Sequence, residues 1–361
     1  MRVPRLLTLV FAAAVALLGA TAAQPTSGSG KRVLRLAAPV SGLAADGSVA
    51  VTTACGKRDY WFFAWNPVRQ SSTLLARRAC DEGNSFILAQ GVAGRRIAWV
   101  PYDAGNESES RLVTATIGRP RSITPLTGFR VHGTDDGVGD WVGNIYGDGS
   151  LLVFNTWSEC EKDQYNDSCP PGTPPGYHIY NENLWRIVGR RKQLLVASPD
   201  ELTVLAVAAG RILVQRADGS LEIRRGSDGN LVRAFPFRHS YERVAVLDAS
   251  ELVVLDRVSG LQWRVYDPVS GAQKRVLRAP KGAIPADVER GLLVYTVGRV
   301  VHVQRLADGR QRTFAAPVPR SRYGVEPVLA QIEPFGLLYS YQVRRRGRVR
   351  FVPFNEIGFG R

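Results

Sequence analysis

The chain has 361 residues, 45% of them hydrophobic and 22% charged, with a formal net charge of +15. That length is ample for a buried core, and beyond the first 23 residues no stretch is long and apolar enough to cross a bilayer as a helix. The charge is uneven: residues 1–185 carry 17 basic and 16 acidic side chains, residues 186–361 carry 30 and 16. Almost all of the bases are Arg. Two explanations stay open, a surface that attracts an anionic polymer or a genome rich in Arg codons.

Residues 1–23 read as an export signal. Arg2 and Arg5 form a positive start, Leu6 to Leu18 is apolar, and Ala20-Thr21-Ala22 places small residues at a cleavage site after Ala22 or Ala23. No Cys follows that site, which argues against a lipid anchor. Residues 24–31 form a Ser/Gly linker, and residues 32–361 are expected to be one domain outside the cytoplasm. The Arg-rich, Lys-poor composition points to a bacterial source.

The mature chain repeats. A small-residue strand, a Gly turn and a strongly apolar strand recur at 42–51, 91–100, 146–154, 206–214, 246–255, 287–295 and 332–339. The second half of each unit is a hairpin with Gly and Asp in its turn, as at Gly226-Ser227-Asp228-Gly229-Asn230 and Asp267-Pro268-Val269-Ser270-Gly271. No window has helical periodicity. Seven units spaced about 40–60 residues apart match four-stranded propeller blades. The expectation is an all-β, seven-bladed β-propeller. Its last blade draws three strands from 325–331, 336–343 and 348–354, and the N-terminal strand 32–38 supplies the fourth, closing the ring.

These residues resemble known repeats. Ala45-Asp46-Gly47-Ser48-Val49-Ala50 and Gly94-Arg95-Arg96-Ile97-Ala98 look like TolB-like and WD-repeat-like propeller units. The turn at 267–271 resembles the D-x-x-[ST]-G turn of quinoprotein-type propellers. The docking Trp of the quinoprotein pattern is absent, with Val276 and Leu277 in that region, and so is the Trp-Asp pair of WD repeats. The resemblance implies a fold and carries neither cofactor nor partner.

Four cysteines in an exported chain suggest two disulfides. Three pairings are possible; Cys55–Cys80 within one repeat and Cys160–Cys169 across a polar loop are the most economical. An insertion loop at 157–180 carries Trp157, Tyr165 and Tyr177, with Pro pairs stiffening it. It reads either as a partner-binding lip or as a stapled flap over its own blade. Arg344, Arg345 and Arg346 form the densest basic point, either a contact surface or an ordinary charged turn. The loop 132–140 offers Asp135, Asp136 and Asp140 as oxygen ligands for Ca²⁺, without an EF-hand pattern; a solvated inter-blade loop is the plainer reading. No G-x-S-x-G elbow occurs and no other catalytic set stands out. His302 alternates within an apolar strand and is expected to be packed, whereas His239 is expected at the surface. No cofactor is expected beyond that Ca²⁺ candidate. The function expected is a non-enzymatic binding module for a protein or an anionic envelope polymer, with nucleic acid not expected. The alternative is an extracytoplasmic enzyme, a hydrolase, lyase or oxidoreductase, with its site at the channel mouth.

Overall fold

The computed structural model describes residues 32–359, apart from 57–58, 80–84, 104–106, 127–130, 135–138, 163–168, 200, 238–243, 258–259, 318–319, 322–323 and 326–327. It is a seven-bladed β-propeller of antiparallel sheets. Blades are numbered along the chain and strands lettered a to d from the axis outward.

Blade 1 is Val40–Asp46, Val49–Cys55, Asp59–Asn66 and Ser71–Ala79; blade 2 is Ser85–Ala93, Arg96–Asp103, Val113–Thr116 and Arg119–Pro125. Blade 3 is Gly139–Asp148, Leu151–Lys162, Gly176–Val188 and Arg191–Ser198; blade 4 is Leu202–Ala208, Arg211–Arg216, Leu221–Arg225 and Leu231–Phe235. Blade 5 is Ala245–Leu247, Leu252–Asp256, Gln262–Tyr266 and Gln273–Arg278; blade 6 is Ile284–Glu289, Leu292–Val297, Val300–Arg305 and Gln311–Ala315. Blade 7 takes Ala330–Glu333, Gly336–Val343 and Arg346–Pro353 from the C-terminus and Val33–Arg35 as strand d. The a strands of consecutive blades touch in a closed ring, from blade 1 through blade 7 and back.

Strand b shows why this sequence builds blades. In blade 3, Leu152 and Phe154 pack towards blade 2, while Leu151 and Val153 pack towards blade 4. Alternate side chains point to opposite faces, so a strand buried on both sides is apolar throughout. Seven apolar clusters result, one at each junction between neighbouring blades. Burying each Leu or Val contributes about 1.5–3 kcal/mol, so the junctions hold the ring together. The aromatic run 60–65 belongs to this pattern, with Tyr60 and Phe62 fully buried.

The N-terminal strand closes the ring as expected. Val33, Leu34 and Arg35 pair with Arg350, Val349 and Arg348, and Leu34 and Leu36 are buried. Two boundaries differ from the sequence reading. Strand a of blade 7 is Ala330–Glu333, because Gly324–Val325 pairs instead with Arg320–Ser321 in a small ladder. The insertion expected as a loop at 157–180 is largely strand: b and c of blade 3 run on as a long hairpin to Lys162 and from Gly176. Its alternation, Trp157-x-Glu159-x-Glu161 against Tyr177-x-Ile179, is a strand pattern that the Pro and Cys content of the connection obscures. A second ribbon, Glu107–Ser110 with Val131–Thr134, pairs onto the inner side of strand a and makes blade 3 six-stranded. Among the described residues no helix is long and apolar enough to cross a membrane.

Candidate functional site

The a–b and c–d turns lie on one face of the disc; the b–c turns and inter-blade links lie on the other. Blade 3 rises from the second face. Strand b stays regular, so its odd-numbered residues continue the side that packs on blade 4 lower down. Above that junction the same side presents Trp141 opposite Trp157, Glu159 opposite Ile179, and Glu161 opposite Tyr177. Tyr177 is 53% exposed and Ile179 is 45% exposed. The Trp157 indole N–H donates to Glu159 Oε1 at 2.7 Å. Tyr177 also bonds Glu159; burial, that bond and the carboxylate's charge push its phenol above the ordinary range. Two aromatic rings are thus tied to one carboxylate. The Cys160–Cys169 disulfide staples the tip of the hairpin, and His178 Nε2 lies 2.9 Å from the Pro174 carbonyl. The result is an aromatic sheet face with acidic members on a braced support.

A different surface of that second face belongs to blade 7. Its b–c turn is Arg344-Arg345, between paired Val343 and Arg346. Arg344, Arg345 and Arg346 line an open depression with Val343 and Arg348. Structure therefore separates the aromatic and basic candidates onto blades 3 and 7.

The opposite face carries a feature that the sequence reading did not single out. Asp46, Asp148, Glu289 and Glu333 end their a strands, with Asp287 two residues before Glu289 and Asp248 one residue beyond Leu247, so they gather around one channel mouth. Most of them latch blades together. Glu333 of blade 7 accepts the Gly47 N–H of blade 1 at 3.0 Å, and Asp46 accepts the N–H groups of Gly94 in blade 2 and Gly149 in blade 3. Asp148 accepts from Ala209 of blade 4, and Asp287 accepts from Ile332 of blade 7. Asp248 instead caps its own turn through the Ser250 and Glu251 N–H groups. Burial, together with Asp287 and Asp46, holds Glu333 well above the usual carboxylate range. Burial, together with Asp248 and Asp287, pushes Glu289 up to about 7. On the other face Glu182 is buried and accepts the Leu202 N–H; burial pushes it up to about 7 as well.

The remaining candidates are placed as follows. Asp140 sits in strand a of blade 3 rather than in a loop, and its Oδ1 accepts the Ser158 hydroxyl at 2.6 Å. Asp135, Asp136 and Tyr165 lie outside the described residues. Among the described residues no group of three His, Cys, Asp or Glu is placed to hold a metal ion. Cys55 is disulfide-bonded, and Cys80 lies outside the described residues. His302 is half-buried and stacked on Tyr295 at 4.8 Å, and burial lowers its pKa. His239 lies outside the described residues. Trp141, Glu159 and Ile179 were missed in the sequence because their signal, strict alternation in two segments 20 residues apart, emerges only once the hairpin register is known.

No family model matches the chain, and no curated protein matches it. Solved structures do. A chain in the crystal structure of the mitotic checkpoint complex is 12% identical with a TM-score of 0.54, covering 89% of this chain and 93% of that one. The WD40 β-propeller domain of Doa1 is 12% identical with a TM-score of 0.47, covering 88% and 95%. At 12% identity the likeness to the checkpoint-complex chain concerns the fold alone.

Proposed function

We propose that this protein is an extracytoplasmic, non-enzymatic binding module whose partner is a protein docked on the aromatic face of blade 3. The observation that carries this reading is the row Trp141, Trp157, Tyr177 and Ile179 on one side of a disulfide-stapled hairpin, with Tyr177 and Ile179 exposed and the two Trp rings partly buried beside them. Rigid aromatic side chains give large contact area at low entropic cost and dominate protein interfaces. An anionic envelope polymer would need a basic surface instead, which blade 7 supplies.

The test places a benzophenone amino acid at Tyr177 and, as a control on the opposite face, at Ser227. Irradiation in the host's secreted and envelope fractions should give one protein adduct from position 177 and none from 227. Purified partner should then bind the Trp157→Ala variant roughly 30-fold more weakly, the loss of an interface anchor of about 2 kcal/mol. Equal adducts at both positions, or unchanged affinity in Trp157→Ala, would overturn the reading. Mass measurement of the secreted chain should find its N-terminus at Ala23 or Gln24; an intact Met1 would remove the extracytoplasmic part.

The enzyme reading has one observation in its favour, Glu289 poised near neutrality at a channel mouth. Its neighbours' oxygens are engaged with backbone N–H groups of adjacent blades, which supports a structural role for the cluster.

A further inference from the structure

We infer that the b–c hairpin of blade 7 is a binding site for a linear polyanion, a chain bearing closely spaced oxyanion groups. Five arginines meet there. Arg344 and Arg345 form the turn, Arg346 and Arg348 follow on strand c, and Arg35 pairs directly opposite Arg348 from strand d. Like charges directly opposite in an antiparallel pair repel. Burial and the charges of Arg35 and Arg346 lower the Arg348 pKa, the signature of cations crowding one another.

What sets this group apart is its density without compensation. Several hairpin arginines elsewhere meet carboxylates, Arg225 with Asp228 at 3.0 Å, Arg264 with Asp256 at 2.6 Å, Arg77 with Asp59 at 3.0 Å, and Arg305 with Asp308, whereas others such as Arg69, Arg190 and Arg191 stand singly or in pairs without one among the described residues. Among the described residues, none of the five blade 7 arginines forms an ion pair with a carboxylate. The turn itself is unfavourable. Arg344 has φ +58° at the first position of a two-residue hairpin loop, where glycine is preferred. A sequence that only needed to reverse direction here would gain stability from Gly or Asn.

The base of the hairpin is rigid. Gly347 exchanges backbone hydrogen bonds with the closing strand, Leu36 N–H to its carbonyl at 3.0 Å and its own N–H to Ala38 O at 2.8 Å. A Cβ on Gly347 would lie 2.5 Å from the Ala38 carbonyl, so this close approach requires glycine. The guanidinium groups therefore project from a fixed platform around an open depression of about 700 Å³, with Val343 as its apolar member. That volume suits a short length of polymer better than one small ion. Guanidinium forks bind oxyanions through paired N–H donors, and several in a row favour a repeating anion over an isolated one.

This site is independent of the aromatic face on blade 3, so loss of a protein partner at Tyr177 leaves it intact. The probe is fluorescently labelled inorganic polyphosphate, titrated into the mature protein between 50 and 300 mM salt. Two triple variants remove the same charge: Arg344→Gln/Arg345→Gln/Arg346→Gln, and Arg69→Gln/Arg190→Gln/Arg191→Gln in c–d turns on the other face. The hairpin triple should weaken binding at least about tenfold and flatten its salt dependence, as expected when oxyanion contacts are lost. The control triple should change affinity less than about twofold. Orthophosphate at equal total phosphate should compete poorly. Equal losses in both triples would mean net charge alone, full competition by orthophosphate would mean a single-ion site, and no binding at 50 mM salt would mean no site; each overturns the inference. Matching melting curves for the triples, with Arg345→Gln alone giving an intermediate loss, exclude unfolding as the cause.

Discussion

Replacing Glu182 with Gln should stabilise the protein at pH 8 and leave it nearly unchanged at pH 4. Glu182 is only 3% exposed and sits at the junction of blades 3 and 4, where its carboxylate accepts the Leu202 N–H. Burial raises its pKa from 4.5 to about 7; the Leu202 bond and Arg216 favour the charge, and Glu201 opposes it. Between pH 4.5 and 7 the folded state therefore holds a proton that the unfolded chain has released, so stability falls as pH rises through this window. Above pH 7 the full cost of the buried charge is present, on the order of 3 kcal/mol at 1.36 kcal/mol for each unit. Gln keeps an oxygen for the Leu202 N–H and carries no charge. Urea unfolding followed by Trp fluorescence should show Glu182→Gln more stable by about 2–3 kcal/mol at pH 8 and within about 0.5 kcal/mol of the parent at pH 4. A variant less stable at pH 8, or a difference independent of pH, would refute the claim that this carboxyl is held charged against burial.

Three further outcomes follow from the same packing. Asp46→Ala strands the N–H groups of Gly94 and Gly149 on two neighbouring blades, and should cost about 2–4 kcal/mol in urea unfolding, with Asp46→Asn recovering part of it. Cys160→Ser opens a loop closed across a sequence separation of 9 and removes about 2–3 kcal/mol of chain-entropy restraint. Because that restraint is local, the sensitive readout is limited proteolysis, with cleavage appearing between residues 163 and 175 while the remaining blades stay protected. Removing residues 1–36 deletes the closing strand and the buried side chains of Leu34 and Leu36. It should lower stability by about 3–6 kcal/mol and promote association through the exposed edge of Arg346–Pro353, seen by light scattering.

The blade repeat was legible because its signals are local: a Gly turn between a small-residue strand and an apolar one, then a Gly/Asp hairpin. The closing strand could be read too, since an unpaired strand at 32–38 and a three-stranded last unit have one economical solution. What escaped was pairing between distant segments. Glu107–Ser110 and Val131–Thr134 lie in different parts of the chain, pair with each other, and join blade 3 through Gly133 opposite Gly139 of strand a. Nothing in either short stretch specifies the other. The carboxylate latches escaped for the same reason. Asp46 and Asp148 look like ordinary turn residues, and their partners are N–H groups 48 and 61 positions away on other blades.

Those latches also change how the net charge should be understood. A count of +15 suggests a molecule basic all over. Yet six carboxylates gather at one mouth, where Glu289 and Glu333 resist ionisation because burial and like charges raise their pKa values. Acidic side chains used in this way are withdrawn from the outer surface, and several arginines at the c–d turns are neutralised by Asp in the same turn. Among the described residues, arginines without a carboxylate partner occur on other blades too, such as Arg69, Arg190 and Arg191, but the blade 7 hairpin is where five of them meet. Codon bias can supply arginines, but it does not by itself gather five of them without a carboxylate or put one at a left-handed turn position. That selectivity, with the aromatic face on another blade, favours a scaffold with two separate contact surfaces over a uniformly basic shell.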